Sequence, residues 1–148
     1  MRITPENGEP WVGAFAKGFV TSDLISAVYA WPDGESLAVI SAGYGYVVKA
    51  NDPRSWVRLQ PMPITDVRVF PEQKLIVFTD FTHMFGYNAE KSIWKSERLS
   101  WDGITITHAG ANHVFGIAWD AMDNKEVEFA IDVRNGVHTG GAKPWARK

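Results

Sequence analysis

VYAWPDGESLAVIS (Val28–Ser41) and VRVFPEQKLIVFT (Val67–Thr79) say nearly the same thing. Val28 aligns with Val67, Trp31 with Phe70, Pro32 with Pro71, Leu37 with Leu75, Val39 with Val77 and Ser41 with Thr79. Each stretch is an apolar run, a proline-bearing turn and a second apolar run, which is how a β-hairpin reads. The likeness continues downstream. VVKANDPRSWVRL (Val47–Leu59) parallels MFGYNAEKSIWKSERL (Met84–Leu99), with Asn51 against Asn88 and Trp56 against Trp94. A fainter third copy, ITITHAGANHVFGIAWD (Ile104–Asp120), follows ITDVRVFPEQKLIVFTD (Ile64–Asp80), and EVEFAIDVRNGVHTG completes it.

Ile25, Ile64 and Ile104 open the three copies, 39 and 40 residues apart. A period of about 40 residues is the scale of a four-stranded sheet repeated along a chain. Within each copy the punctuation suits strands and turns: Pro32-Asp33-Gly34, Asn51-Asp52-Pro53, Trp101-Asp102-Gly103 and Asn135-Gly136. Asn135-Gly136 predicts a two-residue type I′ hairpin turn, because both positions then need positive φ. TSDLISAVYA (Thr21–Ala30) offers Thr21 or Ser22 as a helix N-cap, but Val28 and Tyr29 favour a strand. WVGAFAKGF reads as an extra strand over 11–19, bent by its glycines. The expectation is one all-β domain over 1–148 of about three four-stranded antiparallel repeats, at 24–63, 64–103 and 104–141.

These units resemble the blades of β-propellers of the WD40, kelch and quinoprotein-like groups, over roughly Leu24 to Gly141. The resemblance lies in unit length. Trp101-Asp102 and Trp119-Asp120 are WD pairs without the upstream Gly-His, and the kelch double glycine occurs once, at Gly140-Gly141. It therefore implies an architecture and lends no functional residue. Three blades fall short of the 4–8 of a closed ring. Either a partial propeller is closed by a second copy, or the units form an antiparallel sandwich or barrel.

The 148 residues suffice for a full core without staples. There is no cysteine, which excludes disulfides, thiolate nucleophiles and cysteine-based zinc sites. The net charge of −2 speaks against a nucleic-acid surface. The polar N-terminus MRITPENGEPW lacks the apolar region of a secretory signal, and no apolar run is long enough for a membrane helix. The expectation is a soluble cytoplasmic protein with no membrane partner. Seven Trp, eight Phe and four Tyr are a high aromatic load, which serves cores and binding surfaces alike.

The usual catalytic spacings are missing. His83, His108, His113 and His138 form no zinc motif; His108 and His113 flank AGAN at a turn, where two histidines could share a metal but solvated turn residues are the simpler reading. DAMDNKE (Asp120–Glu126) lacks the spacing of a calcium loop, and GYGY (Gly43–Tyr46) lacks the third glycine of a phosphate cradle. No cofactor is expected. The terminal KPWARK reads as a solvated tail.

In a four-stranded meander, the loop after the second strand and the loop to the next unit emerge at the same end. That gathers Tyr44, Asp80, His83, Trp101, Asp102, Asp120 and Asp123 on one rim. An acidic and aromatic rim suits a basic protein surface, a cationic ligand or a sugar. The function this points to is a non-catalytic interaction module, such as a small inhibitor or immunity-type protein, with a homodimer as one form of closure. The alternative is a small-molecule- or carbohydrate-binding protein or enzyme using the same Asp, His and Trp side chains.

Overall fold

A computed structural model describes residues 1–19 and 23–145. Thr21 and Ser22, the N-cap candidates, lie outside them. The chain divides into two compact units, Met1–Thr65 and Asp66–Lys148. The described residues hold no α-helix and one short 3-10 turn, Pro71–Gln73. No helix among them is long and apolar enough to cross a membrane.

The first unit begins with β1 (Arg2–Ile3) and β2 (Trp11–Val12), which pair antiparallel as a two-stranded ribbon. The strand expected over 11–19 thus ends at Val12. Beyond it the backbone is held from the side: Ser41 Oγ donates to Phe15 O, Tyr46 Oη donates to Ala16 O, and Gly18 N donates to Ser41 O. Gly13 leaves room for the rings of Phe15 and Trp11, which would lie 2.7 and 2.9 Å from an added Cβ. The first repeat follows as β3 (Ala27–Ala30), β4 (Ser36–Ser41), β5 (Tyr44–Lys49) and β6 (Asp52–Arg58), paired in that order. Ala42 and Gly43, both at positive φ, close β4 on β5 as a two-residue turn. Leu37, Val39, Tyr46 and Val48 share one face of this sheet by register. Ile3, Trp11 and Phe15 of the N-terminal segment pack with Val39, Val48 and Leu37 in a small core.

The second unit holds two sheets of the same design. One is β7 (Asp66–Phe70), β8 (Leu75–Thr79), β9 (Met84–Tyr87) and β10 (Ser92–Lys95). The other is β11 (Ile104–Ala109), β12 (His113–Asp120), β13 (Lys125–Asp132) and β14 (His138–Gly140). Every strand pairs antiparallel with its sequence neighbour. The expected three four-stranded repeats are therefore present, and no sheet closes into a barrel.

Strand chemistry explains the layering. LIVFT of β8 is buried at every position, as a central strand covered on both faces should be, whereas HVFGIAWD of β12 alternates half-buried and buried. The two sheets of this unit share one core, with Leu75, Val77, Met84 and Trp94 on one side and Val114, Ala118, Phe129 and Ile131 on the other. Trp94 is its largest element. Its ring occupies the space that side chains at Gly86 and Gly136 would need, with ring atoms 2.2 and 2.7 Å from their ideal Cβ positions, and its Nε1 donates to Val133 O at 2.8 Å.

The β13–β14 connection corrects one expectation. Gly136 has positive φ but Asn135 does not, so the turn is not type I′. Asp132 N donates to Val137 O and Gly136 N to Asp132 O, which makes Val133–Gly136 a four-residue loop. A two-residue turn would have drawn Val133 into the ladder. Val133 is instead fully buried in the core, and its N–H donates to Asn112 O.

Candidate functional site

At one end of the second unit, the β8–β9 loop, the segment after β10, the β12–β13 loop and the C-terminal segment are hydrogen-bonded together. Leu99 N donates to Thr82 O, Gly103 N to Phe81 O, Trp101 N to Trp119 O and Ala142 N to Leu99 O. Ser100, fully buried, links the set: its Oγ accepts from Trp119 N at 2.9 Å and Asp102 N at 3.3 Å and donates to Gly103 O. This network brings Asp80, His83, Trp101, Asp102, Asp120 and Asp123 to one end of the unit. Tyr44 belongs to the first unit, where Arg58 lies 4.0 Å over its ring and Phe19 meets it edge-on.

The carboxylates are not alike. Asp80 Oδ1 accepts from Thr82 N at 2.8 Å and His83 N at 2.7 Å, so it builds its own loop. Asp120 is 1% exposed and its Oδ1 accepts from Met122 N, so it too is a loop-former rather than a rim charge. Asp123 accepts from Lys143 Nζ at 2.6 Å and lies 3.5 Å from Lys125 Nζ. The hydrogen bond from Lys143 holds its carboxyl below the usual range. Asp102 and Asp123 are the exposed carboxylates of the set, and Asp102 is the one with no side-chain partner among the described residues. His83 Nδ1 lies 2.6 Å from Thr82 Oγ1. Burial pushes its imidazole below the usual range, Lys95 adds to that, and Asp80 opposes it.

Sequence reasoning did not single out Arg98, Phe81 or Trp145 here. The Arg98 guanidinium sits 4.6 Å over the Trp101 ring, and Trp145 meets Trp101 edge-on at 6.0 Å. Trp101 Nε1 donates to Lys143 O. Lys143 and Trp145 of the KPWARK segment, expected to be a solvated tail, thus contact the rim while remaining largely exposed, and the rest of that segment, 146–148, lies outside the described residues. The tryptophan in that tail was the available signal. Phe81 is 45% exposed and Trp145 68% exposed, large apolar surfaces for loop residues.

A second feature lies wholly in the first unit. Trp11, Phe15, Tyr46, Val48, Pro53 and Trp56 line an open cleft of about 390 Å³ with no charged side chain on its walls. Tyr46 stands between Phe15 and Trp56, at 5.5 and 6.0 Å between ring centroids. Trp11 Nε1 is already used, donating to Ala50 O at 2.7 Å. The sequence hint was the ring spacing in WVGAFAKGF, which reads equally as a strand.

His108 stacks on Phe115 at 4.3 Å, and His113 lies 4.0 Å from Asp132. No group of three or more His, Asp or Glu among the described residues could hold a metal ion.

No protein-family model matches the chain, and no curated protein matches it in sequence. Among solved structures, one described as TolB from Agrobacterium tumefaciens is similar over 81% of this chain, at 16% identity and a TM-score of 0.42. The chain spans 46% of that protein's length. The likeness lends no residue and no activity.

Proposed function

We propose that the chain is a non-catalytic binding module that takes a protein partner on the loop end of its second unit. The exposed stack of Arg98, Trp101 and Trp145 carries the reading. Tryptophan and arginine are enriched among the few residues that dominate the energetics of protein interfaces. Here the stack is pre-ordered by the Trp101–Lys143 hydrogen bond and the Lys143–Asp123 ion pair. Asp102 supplies a carboxylate for a basic group on the partner. An inhibitor- or immunity-type cap over a basic surface is the form of partner this suits. Asp80 and Asp120 serve the site by shaping its loops, so exchanging them would damage the rim rather than report on its charge.

The test is photo-crosslinking in the source cells from a benzophenone side chain placed at Phe81, with the same group at Val12 as the control. A discrete adduct from position 81 that disappears with Trp101→Ala and Trp145→Ala supports the reading. An adduct that survives both substitutions contradicts it. Circular dichroism establishes that the variants are folded.

The aromatic cleft favours a second reading, a binding site for a neutral small molecule or sugar, whose apolar face would stack on Trp56 and Tyr46. Saturable quenching of tryptophan fluorescence by a neutral oligosaccharide, lost with Trp56→Ala, supports it. No quenching across a panel of neutral sugars removes it.

A further inference from the structure

The third sheet packs one face into the core of its unit, through Val114, Ala118, Phe129 and Ile131. Its register puts Phe115, Ile117 and Trp119 of β12 on the other face, in one row. Thr105 and His108 of β11 flank that row on one side, and Glu126 and Glu128 of β13 on the other. The row is half-buried, not sealed. Two depressions of about 240 and 220 Å³ flank Ile117 along it. The first is lined by Thr105, Trp119 and Glu126, the second by His108, Phe115 and Glu128.

The flanks are chemically opposite. Glu126 and Glu128 have no side-chain hydrogen bond or ion pair among the described residues. His108 stacks on Phe115 with Nδ1 3.4 Å from Thr107 Oγ1, and Nε2 has no partner among those residues. At the far end of the face, His113, Asp132 and Arg134 satisfy one another.

We propose that a second copy of this chain covers this face, related by a two-fold axis running along β12 in the plane of contact. That rotation lays the β11 flank of one copy over the β13 flank of the other. Thr105 of one copy then lies level with Glu128 of the other, with His108 one pair further along, so hydroxyl and imidazole donors face a carboxylate acceptor twice, once on each side of the axis. A two-fold axis across the strands would instead stack each glutamate pair on its own copy, and like charges in contact cost binding. A partner of one charge would leave one flank unmatched, whereas a copy matches both. The apolar row provides the sheet-on-sheet centre, with Phe115, Ile117 and Trp119 of one copy level with the same residues of the other.

Sedimentation velocity of the full chain from micromolar to sub-millimolar concentration at neutral pH tests this. The wild-type chain dimerises. His108→Glu alone and Glu128→Lys alone each weaken self-association by about tenfold or more, because the first sets carboxylates together twice and the second removes the carboxylate acceptor twice. Mixing the two variants restores dimer, since the hybrid holds one native and one exchanged pair. Ile117→Lys abolishes association while its circular dichroism stays native. A wild-type chain that stays monomeric, a dimer indifferent to these substitutions, or two variants whose mixture stays dissociated would each overturn the proposal.

Discussion

The first and third sheets solve the same problem in different ways. Each is a four-stranded meander with one outer face of mixed apolar and aromatic residues. Over the first, the chain lays its own N-terminal segment: Ile3, Trp11 and Phe15 cover Val39 and Val48, and Trp11 Nε1 is tied to Ala50 O. Over Phe115, Ile117 and Trp119 of the third, no described segment of the second unit is laid. The segment after β14 turns away at Gly141, where Gly141 N donates to Glu128 O and Ala142 N to Leu99 O, and goes to the rim. An apolar sheet face is thus either closed locally or left for a partner, and the chain does one of each.

The largest contrast comes from removing the cover. Trp11→Ala strips a half-buried ring and leaves Ala50 O without its donor, and should cost about 2–4 kcal/mol of stability. Trp119→Ala, on the open face, should cost under about 1 kcal/mol in dilute monomer. Urea denaturation at low protein concentration measures both, and equal losses would erase the distinction between the faces. Gly86→Ala should come next, at about 1–3 kcal/mol, because the added Cβ would fall 2.2 Å from Trp94 Cε2 in a core that cannot yield. Ser100→Ala should cost about 1–2 kcal/mol, since Trp119 N and Asp102 N lose their acceptor where the rim meets the third sheet.

The smallest effects are in pH. The His83 imidazole is held below its usual 6.5, so the unfolded chain binds the proton more readily, and stability falls as pH drops below about 6.5. His83→Gln should flatten that slope, and an NMR titration of the wild-type ring should show a midpoint below 6.5. Asp132 behaves in the opposite pH range. The Arg134 hydrogen bond lowers its carboxyl to about 2, so its contribution is present above the usual 3.8 and is lost as pH falls towards 2. Arg134→Ala should bring the Asp132 midpoint back towards 3.8 in a carboxylate NMR titration and lower stability slightly near neutral pH, with the difference from wild type vanishing as pH falls towards 2.

Much of the architecture was legible because a repeat is compared with itself. Val39 and Val77 align in sequence and are both buried in second strands; Asn51 and Asn88 both fall between the third and fourth strands. What escaped depends on the neighbour across the ladder. Trp56 and Trp94 align, yet Trp56 is 57% exposed and Trp94 is buried. Trp94 pairs with Gly86, whose missing side chain makes room for the ring, while Trp56 pairs with Val48, which does not. Asp120 likewise looked like a rim charge, because a buried loop-forming aspartate and a solvated one read alike in one sequence. The rim's position followed from meander topology. Its Arg98–Trp101–Trp145 stack did not, since it joins residues 47 positions apart through a tail with no strand pattern.

Hydroxyl-radical footprinting of the wild-type chain across a concentration series tests the contrast between the two faces most directly. Val39 and Val48 should stay protected at every concentration, while Phe115, Ile117 and Trp119 should be labelled in dilute solution and become protected as concentration rises. Protection of the third-sheet row at high dilution, or labelling that does not change with concentration, would contradict it.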